Sequence, residues 1–196
     1  MSVPVTVALE GPTDKPLARK ILARAGLELG EVFGLRGKAH LDVNLQGFNA
    51  AAAWAPWFVL RDLDADAPCA AALVKAKLQQ PAPLMRFRVA VREGEAWLLG
   101  DRLGVARFFH VPIAKVPLRP EQLANPKQTL VNLARRSKRR EVRRGMVPAK
   151  GISAVVGPEY TALVIDFVTN HWRVEVAAAQ CPSLARCVAA LRTLAA

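Results

Sequence analysis

Between Trp57 and Asp66 the chain reads WFVLRDLDAD, four large apolar residues followed by an arginine and three carboxylates. Apolar residues without polar alternation are typical of a strand buried on both faces, as in a parallel sheet that is covered by helices. Side chains repeat every two residues in an extended chain, so Asp62 and Asp64 share one face, and Asp66 joins them if the extension continues. The stretch therefore predicts a central strand with carboxylates at its end.

These three carboxylates have two interpretations. Close carboxylates raise one another's pKa unless a cation offsets them, and a divalent ion with oxygen ligands is the usual solution. The alternative is a solvated strand-to-helix turn, in which Asp64 or Asp66 caps a helix that begins near Pro68. The stretch alone leaves both interpretations open.

The chain before this stretch begins with a strand, a turn and a helix. Residues 3–10 alternate between valine or leucine and other residues and end at Glu10, which predicts a first strand. A Gly-Pro turn follows, and the apolar residues from Leu17 to Ala25 predict a helix. Residues 31–49 are expected to form one or two short strands.

The chain after the stretch repeats this order of elements. Residues 70–78 predict a helix and residues 87–91 a further strand, after which Glu93 and Glu95 follow. Alternating strands and helices through residue 108 predict an α/β fold with a central, mostly parallel sheet flanked by helices. Ligands of such sheets bind at the carboxyl ends of the strands. Four carboxylates fall at predicted strand ends, namely Glu10, Asp62, Asp64 and Glu93.

Composition limits the classes of protein to consider. The 196 residues include 28 basic and 16 acidic ones, a net charge of +12 that favours polyanionic partners, and 52% apolar residues argue for a packed globule. A signal core and an apolar run long enough to span a bilayer are both missing, so we expect a cytoplasmic protein without a membrane partner. The three cysteines and three histidines are scattered, which disfavours a disulfide framework and a zinc site.

Most of the excess charge lies in one segment. Lys115 to Lys150 contains eleven basic residues and only two acidic ones, and a helix predicted to open near Pro126 runs into the densest part. The candidates for nucleic-acid binding are Arg135, Arg136, Lys138, Arg139, Arg140, Arg143 and Arg144. The alternative is a solvated or partly disordered loop whose charge serves solubility. By composition, residues 1–110 form an α/β core and residues 111–196 a basic helical extension that packs on it.

Two motifs together resemble a known fold. The segment Glu10-Gly11-x-Thr13-Asp14 follows the first strand, and Asp62-x-Asp64-x-Asp66 follows a later buried one. In this order they resemble the TOPRIM fold, which is shared by topoisomerases, primases, RNA-processing nucleases and the OLD (overcoming-lysogenization-defect) nucleases. More narrowly, the segments at residues 92–101 and 181–186 are similar to those of a bacterial TOPRIM-like family.

The resemblance implies roles for individual residues. It implies that Glu10 is a general acid/base, that Asp62 and Asp64 act with it in catalysis, and that Mg²⁺ or Mn²⁺ is the cofactor. The implied ligands, including those of a second ion, are Glu10, Asp14, Asp62, Asp64, Asp66, Glu93 and Glu95. The fold class implied is a TOPRIM-like central sheet with a helical, basic C-terminal portion.

Three functions are compatible with the sequence. The resemblance implies a Mg²⁺-dependent nuclease that acts on phosphodiester bonds of DNA or RNA, as part of a phage-defence or repair system with an ATPase partner. The alternative is a non-catalytic nucleic-acid-binding or adaptor module with the same fold. A small-molecule phosphotransferase is disfavoured because the sequence lacks the glycine-rich loops that cradle phosphates.

Overall fold

Four parallel strands form one sheet in a computed structural model of the protein, which describes residues 3–195. The strands are β1 (Val3–Leu9), β2 (Leu27–Gly34), β3 (Trp57–Asp62) and β4 (Met85–Ala90), in the order β2-β1-β3-β4. The helices before and after β4 are α1 (Asp14–Ala25), α2 (Lys38–Ala51), α3 (Ala70–Lys77), α4 (Gly94–Gly100), α5 (Arg102–Phe109), α6 (Pro126–Arg135), α7 (Arg140–Met146), α8 (Tyr160–Asn170), α9 (Val174–Ala178) and α10 (Pro182–Arg192). The predicted α/β fold with a parallel sheet flanked by helices is confirmed.

The apolar run of β3 explains its central place in the sheet. Its residues from Trp57 to Arg61 are all buried, and alternate positions contribute to opposite faces. Val59 belongs to the core under α2 and α3, which contains Leu41 and Leu73 from those helices. Helix α10 packs on α1 and on β4. The prediction of a strand buried on both faces is therefore confirmed.

The prediction that residues 31–49 form one or two short strands is wrong for residues 38–49. Strand β2 ends at Gly34 and residues 38–51 form α2. Leu41, Val43 and Leu45 alternate in sequence, as they would in a strand. In the helix, Leu41 and Leu45 lie one turn apart on the buried side, whereas Val43 is 83% exposed. A short apolar alternation fits both periods, and the packing of α2 on β3 decides between them.

The chain divides into two compact units that differ from the division by composition. The first unit comprises the chain up to Gly94 and again from Pro182 onward, and the second comprises Glu95–Cys181. The first contains the sheet with α1–α3 and α10, so the C-terminal helix belongs to the α/β unit. Composition placed a boundary near residue 110 because the charge changes there, whereas these units follow packing. Within residues 3–195, none of the helices has both the length and the apolar character that crossing a membrane requires.

Buried polar contacts and aromatic rings hold the second unit together. Asp101 is completely buried, accepts a hydrogen bond from the Gly104 N–H at the start of α5, and pairs with Arg173 at 2.6 Å. The Trp172 indole N–H donates to the carbonyl of Trp97 at 3.1 Å. A buried carboxylate is tolerated when it is paired and hydrogen-bonded in this way. These contacts tie α5 to the residues before α9.

Gly34 illustrates how closely β1 and β2 approach at the edge of the sheet. Its φ of +87° is in the left-handed region, and a Cβ there would collide with the Leu9 carbonyl oxygen. Gly26, at the C-terminus of α1, has a similar φ of +84° but no atom within 4 Å of such a Cβ. We expect Gly26→Ala to lower the free energy of unfolding by ~1 kcal/mol, and Gly34→Ala by at least ~2 kcal/mol more. Urea unfolding measures both, and equal costs would contradict the close approach.

Candidate functional site

The ends of β1 and β3 place two predicted site residues in contact. These strands are neighbours in the sheet, and Glu10 directly follows β1 while Asp62 ends β3. The backbone N–H of Asp62 donates to Oε1 of Glu10 at 2.9 Å. Residues 52 positions apart in sequence therefore meet at the carboxyl end of the sheet. This is the edge at which parallel α/β sheets bind ligands.

A third carboxylate, Asp14 at the start of α1, lies near this pair. Oδ1 of Asp62 accepts a hydrogen bond from the Gly94 N–H at 2.8 Å, and Oδ2 of Asp14 accepts one from the Gly11 N–H at 2.8 Å. A Cβ on Gly94 would lie 3.8 Å from Oδ1 of Asp62 and 3.9 Å from Oδ1 of Asp14. Both carboxylates therefore border the space that the missing side chain of Gly94 leaves open.

Gly94 was not predicted as a site residue. The signal for it in the sequence is a glycine three residues after a predicted strand and between two glutamates. Its backbone N–H contributes the contact to Asp62, and its lack of a side chain leaves the space beside Asp62 and Asp14 unfilled. Sequence alone does not show which of these two properties a glycine supplies.

The pKa of Glu10 is raised to about 7. Burial is the main cause, and the charges of Asp14 and Asp64 add to it, whereas the Asp62 N–H and the charge of Arg61 act in the opposite direction. A carboxyl group with this pKa is partly protonated and partly ionised at neutral pH. Such a group can both donate and accept a proton, which is what general acid/base chemistry requires.

Asp64 and Asp66 do not continue the strand. Strand β3 ends at Asp62, and Asp64 has a left-handed φ of +49°. The chain turns there, with the Asp64 N–H donating to the carbonyl of Arg92 at 2.8 Å and a guanidinium N–H of Arg92 donating to the Asp64 carbonyl at 2.9 Å. The expectation that strand alternation aligns these aspartates with Asp62 is therefore wrong.

A lysine from α2 holds both of these aspartates. Nζ of Lys38 lies 2.7 Å from Oδ2 of Asp64 and 3.1 Å from Oδ2 of Asp66. The capping interpretation of the same two residues is wrong, because α3 is capped by the Cys69 thiol, which accepts from the Ala72 N–H at 3.4 Å. The carboxylates of Asp64 and Asp66 thus share one cation of the chain itself.

Arg61 extends this ion-pair network into the core. Its side chain is only 2% exposed and lies 2.8 Å from Oδ1 of Asp42 and 2.6 Å from Oδ2 of Asp66. It also donates to the Asp62 carbonyl at 2.7 Å, and Lys77 contacts Asp42 at 2.7 Å. Burial alone would raise the pKa of Asp42, but the hydrogen bonds from Arg61 and Lys77 hold it below its ordinary value.

The two remaining predicted ligands differ in their surroundings. Glu93 follows β4 and directly precedes Gly94. Glu95 belongs to the second unit, is 7% exposed, and accepts a hydrogen bond from the Tyr160 hydroxyl at 2.9 Å, with Nζ of Lys127 at 3.5 Å. The Glu95 carboxylate is therefore engaged by residues of the helical unit.

The donor set of the candidate site consists of carboxylates. Over residues 3–195, no three or more aspartate, glutamate, histidine or cysteine side chains form a group arranged to hold a metal ion. Within this set, Asp14 and Asp62 are the two carboxylates that border Gly94.

The predicted nucleic-acid-binding residues lie at the end of α6, in the turn that follows it and in α7. Arg135 ends α6, and the chain turns through residues 136–139 into α7. Arg139 is half-buried, with its guanidinium 5.1 Å from the centre of the Phe108 ring and its Nε 2.6 Å from Glu141. Six of the seven residues are exposed, namely Arg135, Arg136, Lys138, Arg140, Arg143 and Arg144. We call these six the basic surface.

Comparison of the chain with protein-family models, with curated proteins and with solved structures found no match.

Proposed function

We propose that the chain is a Mg²⁺-dependent, nuclease-like protein of the TOPRIM type that acts on phosphodiester bonds of DNA or RNA. One observation supports this best. The carboxylates of Glu10, Asp14 and Asp62 gather at the carboxyl end of two adjacent parallel strands, where Glu10 contacts Asp62 and the other two border Gly94. Acidic side chains at this edge of an α/β sheet suit metal-assisted phosphoryl chemistry.

The carboxylate donor set fits the preferences of Mg²⁺. This ion takes oxygen ligands, is usually held by one or two carboxylates, and completes its shell with water and substrate phosphates. Asp14 and Asp62 would hold it, and bound Mg²⁺ would supply neutralisation of phosphate charge. Asp64 and Asp66 fit less well because Lys38 and Arg61 already neutralise them.

Glu10 is the residue for proton transfer in this proposal. The Asp62 N–H orients its carboxyl group, and a pKa of about 7 lets it accept a proton from an attacking water and return one to a leaving oxygen. Lys38, whose side chain is 41% exposed, would bring a positive charge to a phosphate at this edge by exchanging one of its aspartate partners for it. Arg61 is buried and serves the ion-pair network instead.

A second candidate function is a non-catalytic nucleic-acid-binding or adaptor module. The ion pairs of Lys38 favour it, because they neutralise two of the predicted ligands without a metal. An ATPase partner and a role in phage defence or repair, which the TOPRIM resemblance implies, are compatible with both functions.

The two functions predict different results for carboxylate variants. We expect Asp14→Asn and Asp62→Asn to weaken Mg²⁺ binding at least ~10-fold in calorimetry, because each removes one anionic ligand. We expect cleavage of a supercoiled plasmid with Mg²⁺ or Mn²⁺ to fall at least ~100-fold in the same variants. Asparagine keeps an oxygen for the Gly94 and Gly11 N–H groups, so the local fold should persist.

The matched control is Glu28→Gln, which removes an exposed carboxylate of β2 in the same unit. It should bind Mg²⁺ and cleave like the wild type. Wild-type cleavage no faster than that of Asp62→Asn would exclude the nuclease and leave the adaptor function. Equal Mg²⁺ affinity in all four proteins would exclude the metal site itself.

A further inference from the structure

The basic surface combines a high density of cations with a lack of internal ion partners. Its six side chains are exposed, and among residues 3–195 none of them forms an ion pair with a carboxylate. The one acidic residue of α7, Glu141, is engaged by Arg139. The charges of the basic surface are therefore available to an anionic partner.

Packing makes this surface a fixed structure. Both α6 and α7 are anchored by buried side chains, namely Leu133, Ala134, Val142 and Met146. Arg135 donates to Asn132, and Arg143 donates to the Ser137 carbonyl, which orients two of the guanidinium groups. A partner therefore meets cations on a folded backbone and does not have to order a flexible chain.

Aromatic rings are missing from the exposed part of this unit. Every phenylalanine, tryptophan and tyrosine ring of Glu95–Cys181 is buried, namely Trp97, Phe108, Phe109, Tyr160, Phe167 and Trp172. Sites for single-stranded nucleic acid combine positive charge with exposed rings on which the bases stack. The basic surface has the charge without the stacking platform, which favours a partner whose bases are already stacked in a duplex.

The shape of the surface favours DNA over RNA as that duplex. Arg140 and Arg144 lie one turn apart on the exposed side of α7. The major groove of B-form DNA, about 12 Å wide, admits an α-helix, whereas that of A-form RNA is too deep and narrow for side chains to enter. A helix with arginine on its exposed side fits the first groove, where Arg140 and Arg144 can reach the phosphates on its two edges.

We infer that the basic surface is a docking site for the phosphate backbones of double-stranded DNA. The inference deepens the proposed function by naming the partner. The site lies entirely within Glu95–Cys181, whereas the proposed catalytic carboxylates lie in the first unit.

Fluorescence anisotropy with the full chain tests this inference. Three probes of one sequence, each about two helical turns long, are a DNA duplex, its single strand and the RNA duplex. EDTA in the buffer separates binding from cleavage. We expect the DNA duplex to bind at least ~10-fold more tightly than either other probe, with an affinity that falls steeply between about 50 and 200 mM salt.

The decisive variant changes Arg136, Lys138, Arg140 and Arg144 to glutamine. These side chains are exposed, so the fold should persist, which circular dichroism checks. We expect at least a ~10-fold loss of duplex affinity and a salt slope that is smaller by about three to four, since each neutralised phosphate contributes ~0.9. The control changes Arg19, Arg24, Lys75 and Arg186 to glutamine. These residues are exposed on helices of the first unit, and their replacement removes the same amount of positive charge.

The outcomes separate this inference from the proposed function. The inference is overturned if single-stranded DNA or duplex RNA binds as tightly as duplex DNA, or if the control variant loses as much affinity as the decisive one. Binding of duplex DNA without cleavage would support this inference and exclude the nuclease. Cleavage together with an unchanged salt slope in the decisive variant would support the nuclease and exclude this inference.

Discussion

Replacing Glu10 with glutamine is expected to abolish cleavage and to make the protein more stable near neutral pH. The loss of activity should be ~10²- to 10⁴-fold, the range for a general acid/base. The gain in stability follows from burial, which raises the pKa of Glu10 from 4.5 to about 7 in the folded protein. Above pH 7 the folded chain must bury a carboxylate, a cost that neutral glutamine avoids, while its amide oxygen still accepts from the Asp62 N–H.

The pH dependence of this effect has a defined sign. The folded state binds the Glu10 proton more tightly than the unfolded state, so this group favours folding most below pH 4.5 and progressively less as the pH rises to about 7. The full shift corresponds to at most ~3 kcal/mol, and the residual solvent contact of Glu10 reduces the expected difference to ~1–2 kcal/mol. Glu10→Gln should lack this part of the pH dependence.

Urea unfolding at pH 5 and pH 8 measures the difference directly. Wild type should lose stability between the two pH values relative to Glu10→Gln, whereas Glu28→Gln, an exposed substitution of the same kind, should follow the wild type. A Glu10→Gln protein that is less stable than wild type at pH 8 would show that burial of the Glu10 carboxylate does not destabilise the fold. A site residue whose removal stabilises the fold is what a functional constraint predicts.

The central strand and the first pair of site residues are readable from the sequence because both depend on local pattern. The apolar run from Trp57 fixes a strand buried on both faces, and the topology of parallel sheets then brings its end beside Glu10. The contact between Glu10 and Asp62 is one outcome that these two facts allow. That β1 and β3 are neighbours in the sheet is the one long-range fact that this contact adds.

The ion-pair network is not readable, because it depends on elements whose position only tertiary packing decides. Lys38 and Asp42 reach the site from α2, a helix whose leucines also fit the period of a strand. The turn at Asp64 also has a left-handed conformation that its sequence does not announce. Three aspartates in an even spacing therefore suggested one cluster, whereas the structure divides them between a carboxylate site and a salt-bridge network.

Arg61→Met is expected to have the largest effect on stability of any single change in this network. Arg61 is buried and hydrogen-bonded to Asp42 and Asp66, so its removal leaves these carboxylates with only the more exposed lysines, Lys77 and Lys38, as partners. Breaking a buried pair from one side costs ~3–5 kcal/mol, because the remaining charge keeps its desolvation cost. Lys77→Met removes a cation that is 37% exposed and also contacts Asp42, so it should cost only ~1 kcal/mol or less.

The response to acid distinguishes loss of the ion pairs from loss of packing. Burial raises the pKa of Asp42, but hydrogen bonds from Arg61 and Lys77 lower it further, so Asp42 stabilises the fold at neutral pH and loses this contribution as the pH falls below its ordinary value near 4. Arg61→Met should show a weaker acid-induced loss in urea unfolding. Asp42→Asn should recover part of the stability when it is added to Arg61→Met, because it removes a carboxylate that has lost its buried cation and keeps only the exposed Lys77. A cost no larger than that of Lys77→Met, or no recovery in the double variant, would mean that packing and not charge pairing accounts for the conformation of Arg61.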